Sequence, residues 1–161
     1  MASIVMVGEV AGCRIDPVPE GVSVRPITRD DARTVGELYY QAYGGTADAS
    51  VEAATADITA SFEGEYGPFL WEASPVAERD GAVVAAVLTV ERAPWNDVPD
   101  CPFIIEVFTD PTERRRGIAR HLMTWTMAAL ARRGHDEVAL RVMDDNSPAL
   151  ALYESLGFAR R

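Results

Sequence analysis

The feature that most constrains the fold is the stretch 109–131, TDPTERRRGIARHLMTWTMAALA. An apolar run, Phe103-Ile104-Ile105-Glu106-Val107-Phe108, leads through an Asp-Pro turn and three consecutive arginines into a helix that opens at Gly117. Ile118, Leu122, Trp125 and Ala129 keep helical spacing, and Gly134 closes the helix. The small residues Gly117 and Ala119 let the backbone approach a ligand closely. A helix N-terminus also presents unpaired N–H groups and the positive end of its dipole. Such an end holds a pyrophosphate, and the arginines add charge-assisted hydrogen bonds.

Two motifs flank this idea with more specific content. Arg114-Arg115-Arg116-Gly117-Ile118-Ala119 fits the pattern Arg/Gln-x-x-Gly-x-Gly/Ala, and residues 144–158, DDNSPALALYESLGF, carry an Asn…Tyr…Gly-Phe segment. With the apolar strand upstream, these residues resemble the GCN5-related N-acetyltransferase (GNAT) family over residues 22–158, most strongly from Phe103 onward. The resemblance implies a GNAT acyl-CoA N-acyltransferase fold: a mixed α/β sandwich with a central, mostly antiparallel sheet and helices on both faces. It implies acetyl-CoA as co-substrate, no metal, and direct transfer of an acetyl group to a primary amine in a ternary complex. A non-catalytic acyl-CoA-binding or regulatory domain is the alternative.

Bulk composition agrees with one soluble domain. The chain has 161 residues, 48% hydrophobic and 25% charged, enough length for a proper core. All 15 cations are arginine, which excludes Schiff-base lysine chemistry and a Walker A loop. The net charge of −10 argues against nonspecific nucleic-acid binding, which rests on cation–phosphate contacts. Residues 1–113 hold 20 acids and 6 arginines, and residues 114–161 hold 5 and 9, so the halves carry −14 and +4. That asymmetry suits a polyanionic co-substrate on the basic side and a cationic acceptor on the acidic side. Cys13 and Cys101 are too few for a disulfide framework or a zinc site. No basic leader and no membrane-length apolar run are seen, so the reading is a cytoplasmic protein with no membrane partner.

Along the chain, residues 1–21 form an N-terminal extension in which residues 3–10 suit a strand, and 22–161 form the transferase domain. A short strand over 22–27 precedes a helix over 28–43, with Thr28 as N-cap and Gly44-Gly45 as its end. A second helix is expected over 50–63, then a hairpin of 75–79 and 82–91 around Asp80-Gly81. After the loop 93–102 come the strand 103–109, the helix described above and a strand over 138–143. Ser147-Pro148 read as N-cap and N1 of the last helix, which Gly157 ends. The chain stops four residues beyond Gly157, where the family usually continues with further strands. An exposed edge would result, and residues 3–10 or a second subunit in a homodimer are the expected covers.

The resemblance assigns roles residue by residue. Val107, Phe108 and Thr109 would contact the pantetheine arm through backbone groups freed by a splay between two strands. Arg114, Arg115, Arg116, Gly117, Ile118, Ala119 and Arg120 would wrap the pyrophosphate, with Asn146 on the cofactor arm; a solvated charge run is the other reading of the arginines and a loop-turn residue that of Asn146. Tyr153 matches the tyrosine that serves as general acid toward the sulfur; a core tyrosine is the other reading of its helical stripe. Glu106, the one carboxylate in its strand, is expected as general base with a raised pKa, or else as a solvent-facing or arginine-paired acid. Some relatives place a glutamate five residues before the Asn, where this chain has Arg141. His121 and His135 receive no role. Tyr39, Tyr40, Tyr43, Phe62, Tyr66, Phe69 and Trp71, with Glu63 and Glu65, fall in segments that line the family's acceptor site, and aromatics with carboxylates suit a cationic small-molecule or peptide amine.

Overall fold

A computed structural model describes residues 2–45 and 49–161. Its centre is a strand hydrophobic on both faces, β4 (Ala82–Val90). Such a run must be covered from both sides. Ala85 and Val87 join one core cluster with helix α3 (Ile118–Arg132), whereas Ala86 and Leu88 join another with helices α1 (Ala32–Ala42) and α2 (Val51–Phe62). This period-2 partition fixes the three layers.

The sheet adds β1 (Ser3–Glu9), β2 (Ser23–Pro26), β3 (Pro75–Arg79), β5 (Phe103–Thr109), β6 (Glu137–Met143) and β7 (Ala159–Arg160), in the order β2-β3-β4-β5-β6-β1-β7. Every neighbouring pair is antiparallel except β5–β6. Residues 3–10 thus supply the cover expected of them: Ser3–Glu9 runs along the whole of β6, and β7 adds to its far side. Gly8 makes room for this arrangement. A Cβ there would lie 2.9 Å from the Phe158 ring.

Local rules explain the helix ends, with two corrections. Thr28 caps a short 3-10 turn, Arg29–Asp31, rather than α1 itself, and its N–H donates to Asp31 Oδ2 at 2.7 Å. Asn146, not Ser147, caps α4 (Ser147–Ser155), its Oδ1 accepting the Ala149 N–H at 3.3 Å. An Asn side chain competes well for an N-cap, and Pro148 then sits one position further into the first turn. Helices α1 and α2 approach so closely that a Cβ on Gly36 would lie 2.7 Å from the Thr55 Cα. Residues between β1 and β2 strap α3 from outside. Asp16 accepts Arg120 Nε at 2.7 Å and, through its carbonyl, His121 Nδ1 at 2.8 Å, while its N–H donates to Thr124 Oγ1 at 3.0 Å. His121, buried on α3, is therefore an anchor for this strap.

Candidate active site

The site begins where two parallel strands part. β5 and β6 pair only at Phe103–Ala139 and Ile104–Leu140. Beyond Ile104, β5 pairs with β4 alone among the described residues, so the β6-side backbone of its C-terminal half faces a gap. Backbone donors and acceptors left open this way are costly unless something binds them. Val107, Phe108 and Thr109 all lie along this gap, although the Phe108 and Thr109 side chains are buried.

A β-bulge opens at the same place. Leu88 pairs with Glu106 but Thr89 pairs with Ile104, so Ile105 is an extra residue in β5. Its effect on side chains is direct. Ile104 faces the α3 layer, and strict alternation would send Glu106 there too. Instead Ile105 and Glu106 both reach the α1–α2 side, after which Val107 returns to the α3 layer and Phe108 to the other. The bulge thereby aims the carboxylate into a cavity of about 210 Å³ lined by Tyr39, Asp57, Ile58, Ser61, Tyr66, Trp95, Ile105 and Glu106.

Two phenols, Tyr43 and Tyr153, feel the Glu106 charge. Tyr43, just past α1, donates its phenol proton to Glu106 Oε1 at 3.2 Å. Burial, then the nearby Glu106 charge, raises the Tyr43 pKa. Tyr153 on α4 is 7% exposed, and burial first and the Glu106 charge second push its phenol up to about 12. Its hydroxyl has no hydrogen-bond partner among the described residues. The ring packs in the α3-side core against Phe158, so Tyr153 is at once a core residue and a phenol within electrostatic reach of Glu106.

The arginine loop reaches α3 through two left-handed residues. Gly117 has φ 81° and Arg115 has φ 65°. The second is a strained conformation for a side-chain-bearing residue, of the kind that marks ligand-binding loops. Apart from its chain neighbours, nothing lies within 4 Å of a Cβ built on Gly117, so its surroundings at the α3 N-terminus are uncrowded. Arg115 and Arg116 are exposed beside it. Two other arginines are held elsewhere: Arg114 donates to the Ala42 carbonyl at 2.8 Å, capping α1, and Arg120 is tied to Asp16 and to Ser155 Oγ at 2.7 Å. Ile118 is buried and is the first residue of α3 after the N-cap Gly117, so its backbone N–H has no intrahelical acceptor. Asn146 serves α4 as its cap.

The aromatic segments divide. Tyr39 and Tyr66 line the cavity. Phe62, Phe69 and Trp71 stack on one another at 4.8–5.2 Å between ring centroids and serve the core. Tyr40, Glu63 and Glu65 do not line the cavity. Sequence reasoning missed Asp57, Ser61 and Trp95. The available signal was an acid at 57 beside the apolar stripe of α2, one position before Ile58. Arg141 is paired with Asp97 through two contacts of 3.0 Å.

Residues 35–158 match the Acetyltransferase (GNAT) family. The chain belongs to the GNAT family. It is 35% identical over 144 residues to the N-alpha-acetyltransferase RimI of Mycobacterium tuberculosis, covering 88% of this chain and 80% of that one. It is 32% identical over 151 residues to a mycothiol acetyltransferase of Rhodococcus erythropolis, covering 89% and 48%. This GNAT chain therefore spans about half the length of that curated relative, and less of others of the same name. The fold matches a GCN5-related N-acetyltransferase structure from Sphaerobacter thermophilus with TM-score 0.78 and 23% identity, over 99% of this chain and 48% of that one. No described helix of this GNAT is long and apolar enough to cross a membrane, and no group of three or more His, Cys, Asp or Glu among the described residues is placed to hold a metal ion.

Proposed function

We propose that this GNAT domain transfers an acetyl group from acetyl-CoA to a primary amine by direct attack in a ternary complex. The observation that carries the reading is the bulge at Ile105, which sets Glu106 between an acidic, aromatic cavity and the gap between β5 and β6. The residues fit acetyl-CoA in two ways: the gap offers unpaired strand backbone, and the uncrowded α3 N-terminus beside Arg115 and Arg116 suits a pyrophosphate. Bound there, the co-substrate supplies an activated acyl group.

The chain's own groups divide the work as follows. Glu106 receives the ammonium proton, directly or through one water, so that the nitrogen lone pair can form the new C–N bond as the C–S bond breaks. The second nitrogen proton passes to the departing thiolate to leave a neutral amide and a free thiol. Tyr43 holds the Glu106 carboxylate in place. Tyr153 stays protonated at neutral pH and donates a hydrogen bond to the leaving sulfur. At a pKa of about 12 full transfer to a thiolate, whose conjugate acid has a pKa of about 8.5, runs uphill. Protonation of Glu106 removes one of the two causes of that shift, so the phenol becomes a better acid just after the amine has given up its proton.

The test is calorimetric titration with acetyl-CoA together with thiol release in the presence of amines. Wild type should bind in the micromolar range, and Arg115→Ala with Arg116→Ala should abolish binding. Glu106→Gln should retain binding and lose about 100-fold or more in turnover. A well-folded wild type that takes up no acetyl-CoA would refute the proposal.

A further inference from the structure

The cavity beneath Glu106 has a second carboxylate, Asp57, that acetyl transfer itself does not use. Asp57 lies on α2, on the wall across from β5, and is half-buried. Tyr66 donates its phenol proton to Asp57 Oδ1 at 3.3 Å, which fixes the orientation of the carboxylate. No cationic side chain pairs with it among the described residues. The arginines nearest in sequence serve other acids: Arg25 holds Asp31 and Glu78, and Arg33 pairs with Glu37 and Glu52. A half-buried, oriented carboxylate that no internal cation neutralises favours an external one. Tyr39, Tyr66 and Trp95 around it supply aromatic faces and edges that attract ammonium groups, and Ile58 and Ile105 supply apolar contact.

Two carboxylates on facing walls set different demands. The amine opposite Glu106 must become neutral to attack, so its charge is lost during the reaction. A cation at Asp57 keeps its charge throughout. We infer that the acceptor is an amine carrying a second cationic centre, with Asp57 as the specificity residue that binds this second charge. The substrate class is thus diamines, or peptide amines with a basic side chain close by, rather than monoamines. This inference rests on the transferase reading and assigns Asp57 no part in the chemical step.

The test compares 1,4-diaminobutane with n-butylamine, which share the four-carbon chain and differ in the second ammonium. With saturating acetyl-CoA, the diamine should exceed the monoamine in kcat/KM by about tenfold or more, beyond the twofold statistical factor for two amines, as expected for a charge-assisted contact. Asp57→Asn keeps the oxygen that accepts from Tyr66 and removes only the charge. It should raise KM for the diamine and bring the ratio to about two. Glu52→Gln removes an exposed charge from the same helix outside the cavity and should leave the ratio as in wild type. A wild-type ratio near two, or a preference that survives Asp57→Asn, overturns the inference while leaving the transferase reading intact. Absence of acetyl transfer to any amine would count against the parent reading alone, and calorimetry with 1,4-diaminobutane then decides. Saturable binding lost in Asp57→Asn supports the second-charge site, and no binding, or binding unchanged by the substitution, overturns it.

Discussion

Replacing Gly36 with Ala sets two physical effects against each other. Gly36 lies inside α1, where helix propensity alone favours Ala by about 1 kcal/mol. The structure predicts the opposite sign. The new Cβ would stand 2.5 Å from Thr55 Oγ1, 2.7 Å from its Cα and 2.9 Å from its N. Ordinary contact starts near 3.4 Å, so the methyl is about 0.7 Å too close to a backbone atom of α2, and no rotamer change relieves it. The two helices must separate, and overpacking of this kind costs about 3 kcal/mol at the upper end of its usual range. Subtracting the propensity gain leaves about 2 kcal/mol of destabilisation. For a chain of this size that lowers Tm by about 4–8 °C. Because α1 carries Tyr39 and α2 carries Asp57, Ile58 and Ser61, the same displacement widens the cavity, so KM for the amine should rise more than kcat falls. Calorimetric melting and steady-state kinetics read both effects. Adding Thr55→Ala should restore little, since the Thr55 Cα and N remain. A Gly36→Ala protein that melts at or above the wild-type temperature would refute the argument.

Other outcomes follow from the site. Tyr153→Phe should leave acetyl-CoA affinity within about threefold and reduce kcat by about tenfold to a thousandfold, as titration and thiol release will show. The raised Tyr153 pKa also has a stability consequence with a definite sign. Unfolded tyrosine loses its proton near pH 10, whereas the native one holds it to about 12, so its contribution is complete below about pH 10 and disappears as pH rises toward 12. Urea titrations across that window should show a decline of about 2–3 kcal/mol from this residue, absent in Tyr153→Phe. Gly117→Ala meets no steric neighbour but forces a left-handed conformation on alanine. It should cost about 1–2 kcal/mol, visible as a lower Tm, and should weaken acetyl-CoA binding; an unchanged protein would show that the loop does not need this geometry.

Local signals in the chain were good guides to the frame. The Asp80-Gly81 turn, the apolar run from Phe103 and the Gly117 and Gly157 boundaries each act within a few residues, and the structure keeps them. Ser3–Glu9 beside β6 was legible as one of two covers because a bare sheet edge has few remedies. What sequence spacing did not carry was anything decided across the sheet. The orientation of Glu106 depends on one extra residue opposite β4, and alternation alone points it at the wrong layer. Asp57 and Trp95 reach the cavity from different elements, and neither has a neighbour in sequence that announces it. The fates of Arg114 and Arg120 likewise depend on acceptors 72 and 104 residues away.

The placement of β1 also has a consequence for the order in which the protein can be made. Ser3–Glu9 is synthesised well before its partners, which are Glu137–Met143 on the inner side and Ala159–Arg160 on the outer side. The meander β3–β4–β5 and the α1–α2 pair can form from nearby contacts while synthesis continues. The strand β1 must wait, unpaired, until Glu137–Met143 has emerged more than 120 residues later. The same late segment brings the second wall of the gap and Tyr153. Closing the sheet and bringing in Tyr153 are therefore one event, so on the proposed mechanism a partly synthesised chain that already has the cavity beside Glu106 still lacks the means to use it.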